Sequence, residues 1–278
     1  MFVRQAKTLF FFILMEYSSF FGGYGLDVVL LLAAFSLVAG FIDAVVGGGG
    51  LVQIPIMLIN LPKEPLATIF GTNKIAALSG TSLAAYRYAQ RIRFDLRLLA
   101  LVSFWAFAAS FAGAKIVSHL DSASLKPLIL VILILIAIYT FFKKDLGAVQ
   151  TKHLTTSRQM LYGSGIGLVV GFYDGFFGPG TGSFLVLGFV VILGFEFVTA
   201  SAYAKIINCV TNFSALVVFL WQGNFILGLA IAMAIFNVLG NWLGSRMALQ
   251  KGNGFVRVMF LIIVVLMIVR YSYDIFVA

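Results

Sequence analysis

Twice in this chain a segment that otherwise reads as membrane-buried is cut by glycines. The first break is Asp43-Ala44-Val45-Val46-Gly47-Gly48-Gly49-Gly50; the second is Asp174-Gly175-Phe176-Phe177-Gly178-Pro179-Gly180-Thr181-Gly182. Proline lacks the N–H that a helix needs and glycine holds no backbone preference, so a helix does not continue through the second stretch. In hydrocarbon, broken backbone persists only where protein covers it or where it lines a wet cavity. The fold must therefore supply such a cover or cavity at two places.

The two breaks belong to a repeat. Asp43 and Asp174 stand 131 residues apart, and the same offset carries Gly40-Phe41 onto Gly171-Phe172, Gly47 onto Gly178, Gly49 onto Gly180 and Lys74-Ile75 onto Lys205-Ile206. It also carries Phe94 onto Phe225, Gly113 onto Gly244 and Lys115 onto Arg246 without a gap. A register held over so long a stretch points to duplication. Two unrelated glycine-rich packing faces would not also align two lysines.

Composition sets the solvent. Of 278 residues, 62% are hydrophobic and 10% charged, with mean hydropathy +1.06. Soluble domains carry roughly 25% charged residues, so the chain reads as an integral membrane protein. The formal net charge of +9 sits in short loops between apolar runs, where it sets topology instead of marking a nucleic-acid partner. A single cysteine, Cys209, excludes an intrachain disulfide and two-cysteine metal sites. His119 and His153 fall in expected loops, so no catalytic or metal-binding histidine cluster is available, and neither metal nor cofactor is expected.

In order, residues 1–24 form a short helix or interfacial segment, and 25–142 the first transmembrane repeat. A polar linker follows over 143–158, and the second repeat occupies 159–278. Within the first repeat, helices are expected over 27–46, 65–88, 96–117 and 125–142, with a short half-helix at 51–61. That half-helix falls short of the roughly 20 residues needed to span hydrocarbon. The second repeat follows the same plan, with helices over 161–177, 198–220, 226–248 and 255–273 and a half-helix at 183–193. Gly163, Gly167, Gly171 and Gly175 recur every four residues, as do Gly240 and Gly244, a spacing that lets membrane helices approach closely.

Loop charge relates the two halves. The loop at 87–97 holds Arg87, Arg91, Arg93 and Arg97, whereas its equivalent, Trp221-Gln222-Gly223-Asn224, has no basic residue. Lys143, Lys144, Lys152 and Arg158 in the linker, and Arg246, Lys251 and Arg257, are expected inside with the arginine loop. Equivalent loops thus face opposite sides. The expected fold is an all-α polytopic membrane protein of two inverted repeats with broken helices, a pattern characteristic of secondary transporters.

Each glycine loop ends where a half-helix begins. A helix N-terminus offers unpaired N–H groups and partial positive charge, and consecutive N–H groups in a glycine turn form an anion nest. Gly48, Gly49, Gly50, Gly178, Gly180 and Thr181 are candidate anion-binding positions on that ground; the alternative is that the glycines only permit close helix crossing. Lys74 and Lys205 lie about ten residues into apolar segments, and charge at that depth marks function. Asp43 and Asp174 repeat with them, so a structural ion pair, a pair that opens for an anion, and an aspartate carrying a coupling proton all stand. Asn73, Asn208 and Asn212 offer amide donors and Thr72 and Thr211 hydroxyls; helix–helix hydrogen bonding is the alternative for each. Asn208 and Asn212 share a helix face with Lys205.

Taken together, Gly40-Phe41-Ile42-Asp43 through Gly50, Gly71-Thr72-Asn73-Lys74, Gly171-Phe172-Tyr173-Asp174-Gly175-Phe176-Phe177-Gly178-Pro179, and Lys205 with Asn208 resemble the sulfite exporter TauE/SafE family. The resemblance covers nearly the whole chain. It implies a multi-pass bacterial inner-membrane transporter of sulfite, sulfoacetate or related organosulfonates, in a branch whose substrates are less well characterised.

The reading is of a secondary transporter, in the export direction, for small anionic sulfur compounds, with a central site between the glycine loops. Expected partners are the anionic substrate, the lipid bilayer and a coupling proton or sodium ion; homo-oligomer formation stays open, and nucleic acid is not expected. A passive anion channel, or a transporter of another small organic anion, is the first alternative. An enzyme lacks a Ser/His, Cys/His or metal cluster to act with. A structural or receptor role leaves two buried lysines and two aspartates unexplained.

Overall fold

The computed structural model describes residues 20–117 and 154–276, and every regular element among them is a helix. α1 (Leu26–Val46), α2 (Gly50–Asn60), α3 (Leu66–Ala89) and α4 (Leu96–Val117) make the first half. The second comprises α5 (Thr156–Phe176), α6 (Thr181–Gly188, prolonged by a π-helical turn over Phe189–Leu193), α7 (Phe197–Trp221) and α8 (Leu227–Phe276). The starts of α2, α3 and α4 recur 131 positions later as the starts of α6, α7 and α8. The duplication is therefore structural as well as sequential.

Local chemistry sets the breaks. α1 ends because Gly47 adopts φ 81°, left-handed backbone that closes the last turn with its N–H on the Asp43 carbonyl. α6 starts from Gly180 at φ 85°, again a conformation suited to glycine. α2 returns along α1, where buried Gln53 Nε2 donates to Ser36 Oγ at 2.6 Å. The two elements form a re-entrant hairpin.

Two boundaries differ from expectation. α5 begins at Thr156, so the last residues of the expected linker are helical. The gap expected between 248 and 255 shrinks to one residue in α8, Gly252, whose φ 70° and ψ −161° break an otherwise continuous helical run. Asn253 and Gly254, both weak helix formers, follow it, yet the helix resumes at once and Gly252 alone absorbs the turn. The expected segment before residue 20, the helix at 125–142, linker residues 143–153, His119 and His153 lie outside the described residues.

The halves interlock by exchange: α4 packs on α5, and α8 packs on α1. Small residues make that approach feasible. A Cβ added at Gly171 would lie 2.6 Å from the Ala106 carbonyl oxygen, and at Gly40 2.3 Å from that of Asn237. Likewise Gly113 abuts the Phe172 carbonyl at 2.4 Å and Gly244 that of Phe41 at 2.4 Å. Swapping the halves by the 131-residue offset turns each of these contacts into its partner, which is the mark of a pseudo-two-fold axis.

The same exchange places the loops. The Ile226 N–H donates to Thr72 Oγ1 at 2.9 Å near the start of α3, and its counterpart, the Asp95 N–H, donates to the Tyr203 hydroxyl at 2.7 Å near the start of α7. α3 has 24 residues, about 36 Å of helix at 1.5 Å per residue, so the arginine loop at its far end stands opposite the Trp221–Asn224 loop. Arg87 and Arg246, from different halves, both lie 5.7 Å from the centroid of the Trp242 ring. Basic residues of both halves thus gather at one end. The repeats are inverted with respect to the long axes of their helices.

Among the described residues, four helices, α1, α4, α7 and the first part of α8, are long and apolar enough to cross a membrane. Phe104, Leu161, Val169, Phe213, Ile235 and Trp221 are exposed on the outside of the bundle. That apolar exterior suits hydrocarbon and not water.

Candidate functional site

At the centre the two glycine loops touch. A Cβ on Gly47 would lie 2.4 Å from Gly182 Cα, and one on Gly50 3.3 Å from Pro179 Cα. The Ser183 N–H donates to the Gly47 carbonyl at 3.2 Å and its hydroxyl to that of Val46 at 3.0 Å, tying the start of α6 to the end of α1. Neither α2 nor α6 has a side chain capping its first turn. Backbone carbonyls of the loops take most of their first-turn N–H groups instead: Leu51 donates to Gly48, Val52 and Gln53 to Gly49, Thr181 to Gly178 and Phe184 to Gly180.

Both buried lysines are paired across the halves. Lys74 Nζ lies 2.8 Å from Asp174 Oδ2 and also donates to the Asp174 carbonyl at 3.2 Å. Lys205 Nζ lies 3.1 Å from Asp43 Oδ1 and donates to the Asp43 carbonyl. The pairs interchange under the pseudo-two-fold. Each lysine compensates an aspartate that hydrocarbon and packed protein would otherwise leave as a costly buried charge.

Between the loops lies a cavity with about 30 Å³ free to a water-sized sphere, room for about two waters. It is bordered by Asp43, Gly49, Gly50, Asn73, Lys74, Asp174, Gly178, Gly180, Thr181, Asn208 and Asn212, eleven of the thirteen positions expected from sequence. Gly48 and Lys205 do not line it; Lys205 is fully buried. Thr72 and Thr211 are spent on backbone: Thr72 Oγ1 takes the Ile226 N–H, and the Thr211 hydroxyl donates to the Asn208 carbonyl at 3.1 Å.

The glycines divide. The space at Gly49 is filled by the Ala39 carbonyl oxygen at 2.5 Å and Asp43 Cβ at 2.7 Å, and that at Gly180 by Leu51 at 3.0 Å. Those two serve loop packing in this conformation. Gly178, at φ 91°, would instead set a Cβ 3.6 Å from Lys74 Nζ, directly beside an ion pair.

Sequence reasoning missed Gln53 and Asn237, which also line the cavity. Asn237 Nδ2 donates to Gln53 Oε1 at 3.3 Å, and Asn241 Nδ2 to Asn237 Oδ1 at 2.8 Å. The available signal was amides four residues apart in an apolar span, which membrane helices carry only for a reason. Asn73 Oδ1, buried at the cavity, has no hydrogen-bond partner among the described residues.

Inverted repeats, re-entrant half-helices and a polar cavity at the point where the halves meet define a multi-pass membrane transporter. The chain belongs to the sulfite exporter TauE/SafE family, whose model matches residues 32–271. It is 34% identical over 250 residues to a probable membrane transporter protein of Haemophilus influenzae, covering 90% of this chain and 96% of that protein. It is 36% identical over 246 residues to the probable membrane transporter protein ORF9 of a Sinorhizobium species, covering 88% and 92%. The probable membrane transporter protein YfcA of Escherichia coli K12 is 33% identical over 243 residues, covering 86% and 87%. No solved structure matches. The family is one of transporters and not of enzymes.

Proposed function

We propose that this transporter exports small anionic sulfur compounds, sulfite, sulfoacetate or other organosulfonates, across the bacterial inner membrane by alternating access at the central cavity. The observation that carries the reading is the placement of two lysines, each held by an aspartate of the opposite half, beside helix N-termini and a ring of amides. A sulfonate presents oxygens with spread negative charge, which suits backbone N–H donors, amide donors and one ammonium at once. The cavity in this conformation is too small for such an anion. Entry therefore requires the loops to part and an ion pair to open, with the anion taking the place of a carboxylate on the lysine. The family's own description supports the sulfur chemistry, and the basic end of the bundle supports its assignment to the cytoplasmic face.

The test is counterflow in proteoliposomes. Vesicles loaded with unlabelled isethionate and diluted into radiolabelled isethionate should accumulate label, and sulfite and sulfoacetate should compete where acetate and phosphate do not. Absence of counterflow for every sulfonate, or equal competition by acetate, would overturn the substrate class. Flux that is only ever downhill, without counterflow, would make the protein a channel.

A further inference from the structure

The two ion pairs are symmetric in position and unequal in surroundings. Asp43 is fully engaged: Oδ1 takes Lys205, and Oδ2 takes the Thr81 hydroxyl at 2.8 Å. Lys205 has no exposed surface, and it does not border the cavity. Under the 131-residue offset Thr81 becomes Asn212, and the contact is not repeated. Asn212 Nδ2 turns instead to Asn208 Oδ1 at 3.3 Å. Asp174 therefore has one oxygen on Lys74 and lacks the second, hydroxyl donor that its twin has. Lys74 itself borders the cavity, where a Cβ added at Gly178 would lie 3.6 Å from its Nζ, and Asn73 Oδ1, also at the cavity, has no partner among the described residues.

We propose that the duplicated pairs have parted in role: Lys205–Asp43 is a permanent brace, and Lys74–Asp174 is the pair that opens, Asp174 taking the coupling proton as Lys74 passes to the substrate anion. This rests on the function proposed above. One proton from the aqueous side adds to the Asp174 carboxylate, Lys74 remains an ammonium, and the incoming anion balances its charge. The loaded centre carries one proton and one monovalent anion, so the step is electroneutral, and it runs outward when the anion's own gradient exceeds the opposing pH gradient. The charged groups bordering the cavity are Asp43, Lys74 and Asp174. Lys205 lies on the far side of Asp43, Cys209 Sγ sits 3.8 Å from Ser82 Oγ, and the neighbouring Tyr173 hydroxyl is bound to the Pro179 carbonyl at 2.6 Å. On α4, Lys115 lies over the Phe111 ring. Among the described residues, Asp174 is thus the carboxylate of the cavity that lacks a second neutral donor.

The probe is isethionate, a strong acid that stays ionised, so any proton that moves with it is carried by the protein. In wild-type proteoliposomes a one-unit pH step should drive about tenfold accumulation from the acid side at one proton per anion, and an imposed membrane potential should have little effect. Asp174→Asn should keep slower counterflow and lose the pH-driven accumulation. Retained pH-driven accumulation in Asp174→Asn would overturn the proposal while leaving the substrate reading intact. Melting temperatures supply an arm that needs no substrate. Asp43→Asn, which strands Lys205 in dry packing, should fall much further than Asp174→Asn, which leaves Lys74 at a wet cavity. Equal falls would overturn the division of roles even if no sulfonate were moved.

Discussion

Replacing Lys205 with methionine is the sharpest test of how this interior is held together. The stem keeps nearly the same shape, so packing changes little and the loss is electrostatic. The lysine side chain has 0% exposure and that of Asp43 10%, with Nζ 3.1 Å from Oδ1. Without the ammonium, the Asp43 carboxylate retains only the Thr81 hydroxyl among its side-chain partners, as a buried charge with nothing to oppose it. Breaking a buried pair from one side costs about 3–5 kcal/mol. At about 2–4 °C per kcal/mol for chains approaching this size, Lys205→Met should melt roughly 10 °C lower. Adding Asp43→Asn removes the stranded charge and keeps an acceptor for Thr81, so the double variant should recover to within about 1 kcal/mol, the worth of one hydrogen bond. Thermal unfolding of the purified protein in one detergent, at one pH, reads both values. A single variant as stable as wild type, or a double variant no better than the single, would refute the claim that the pair braces the fold.

Gly175→Val should prevent accumulation of folded protein, because even a Cβ there would lie 1.9 Å from the Ser110 carbonyl oxygen; Gly165→Ala, with nothing within 4 Å, should be tolerated in the same helix, as size-exclusion profiles would show. With Cys209 replaced, single cysteines at Arg93 and Gln222, both exposed, should label from opposite faces of the membrane, and labelling of both from one face would contradict the inverted repeat. Asn237→Leu removes the amide that holds Gln53 at the cavity and should slow sulfonate counterflow severalfold while the melting temperature changes by only a few degrees; an unchanged rate would place the site elsewhere.

Much of this architecture is written along the chain, because duplication and hydropathy are local properties. The 131-residue register, the glycine breaks and the arginine asymmetry between the loops at 87–97 and 221–224 are enough to define two inverted halves and their half-helices. Helix-breaking residues act where they stand, so α2 and α6 begin at their glycines. The sequence also singled out Lys74, Lys205, Asp43 and Asp174, since charge in an apolar run is conspicuous whatever surrounds it. It left the pairing open, and only the tertiary structure decided that each lysine reaches the aspartate of the other half. That choice depends on α4 packing against α5 and α8 against α1, contacts between segments distant in the chain. Gly49 and Gly178 look alike in sequence, yet one is filled by its own hairpin and the other faces an ammonium. Thr81 and Asn212 occupy equivalent positions, and their unequal partners set the two ion pairs apart. Such differences arise from which atoms meet across helices, a property that periodicity along one helix does not record.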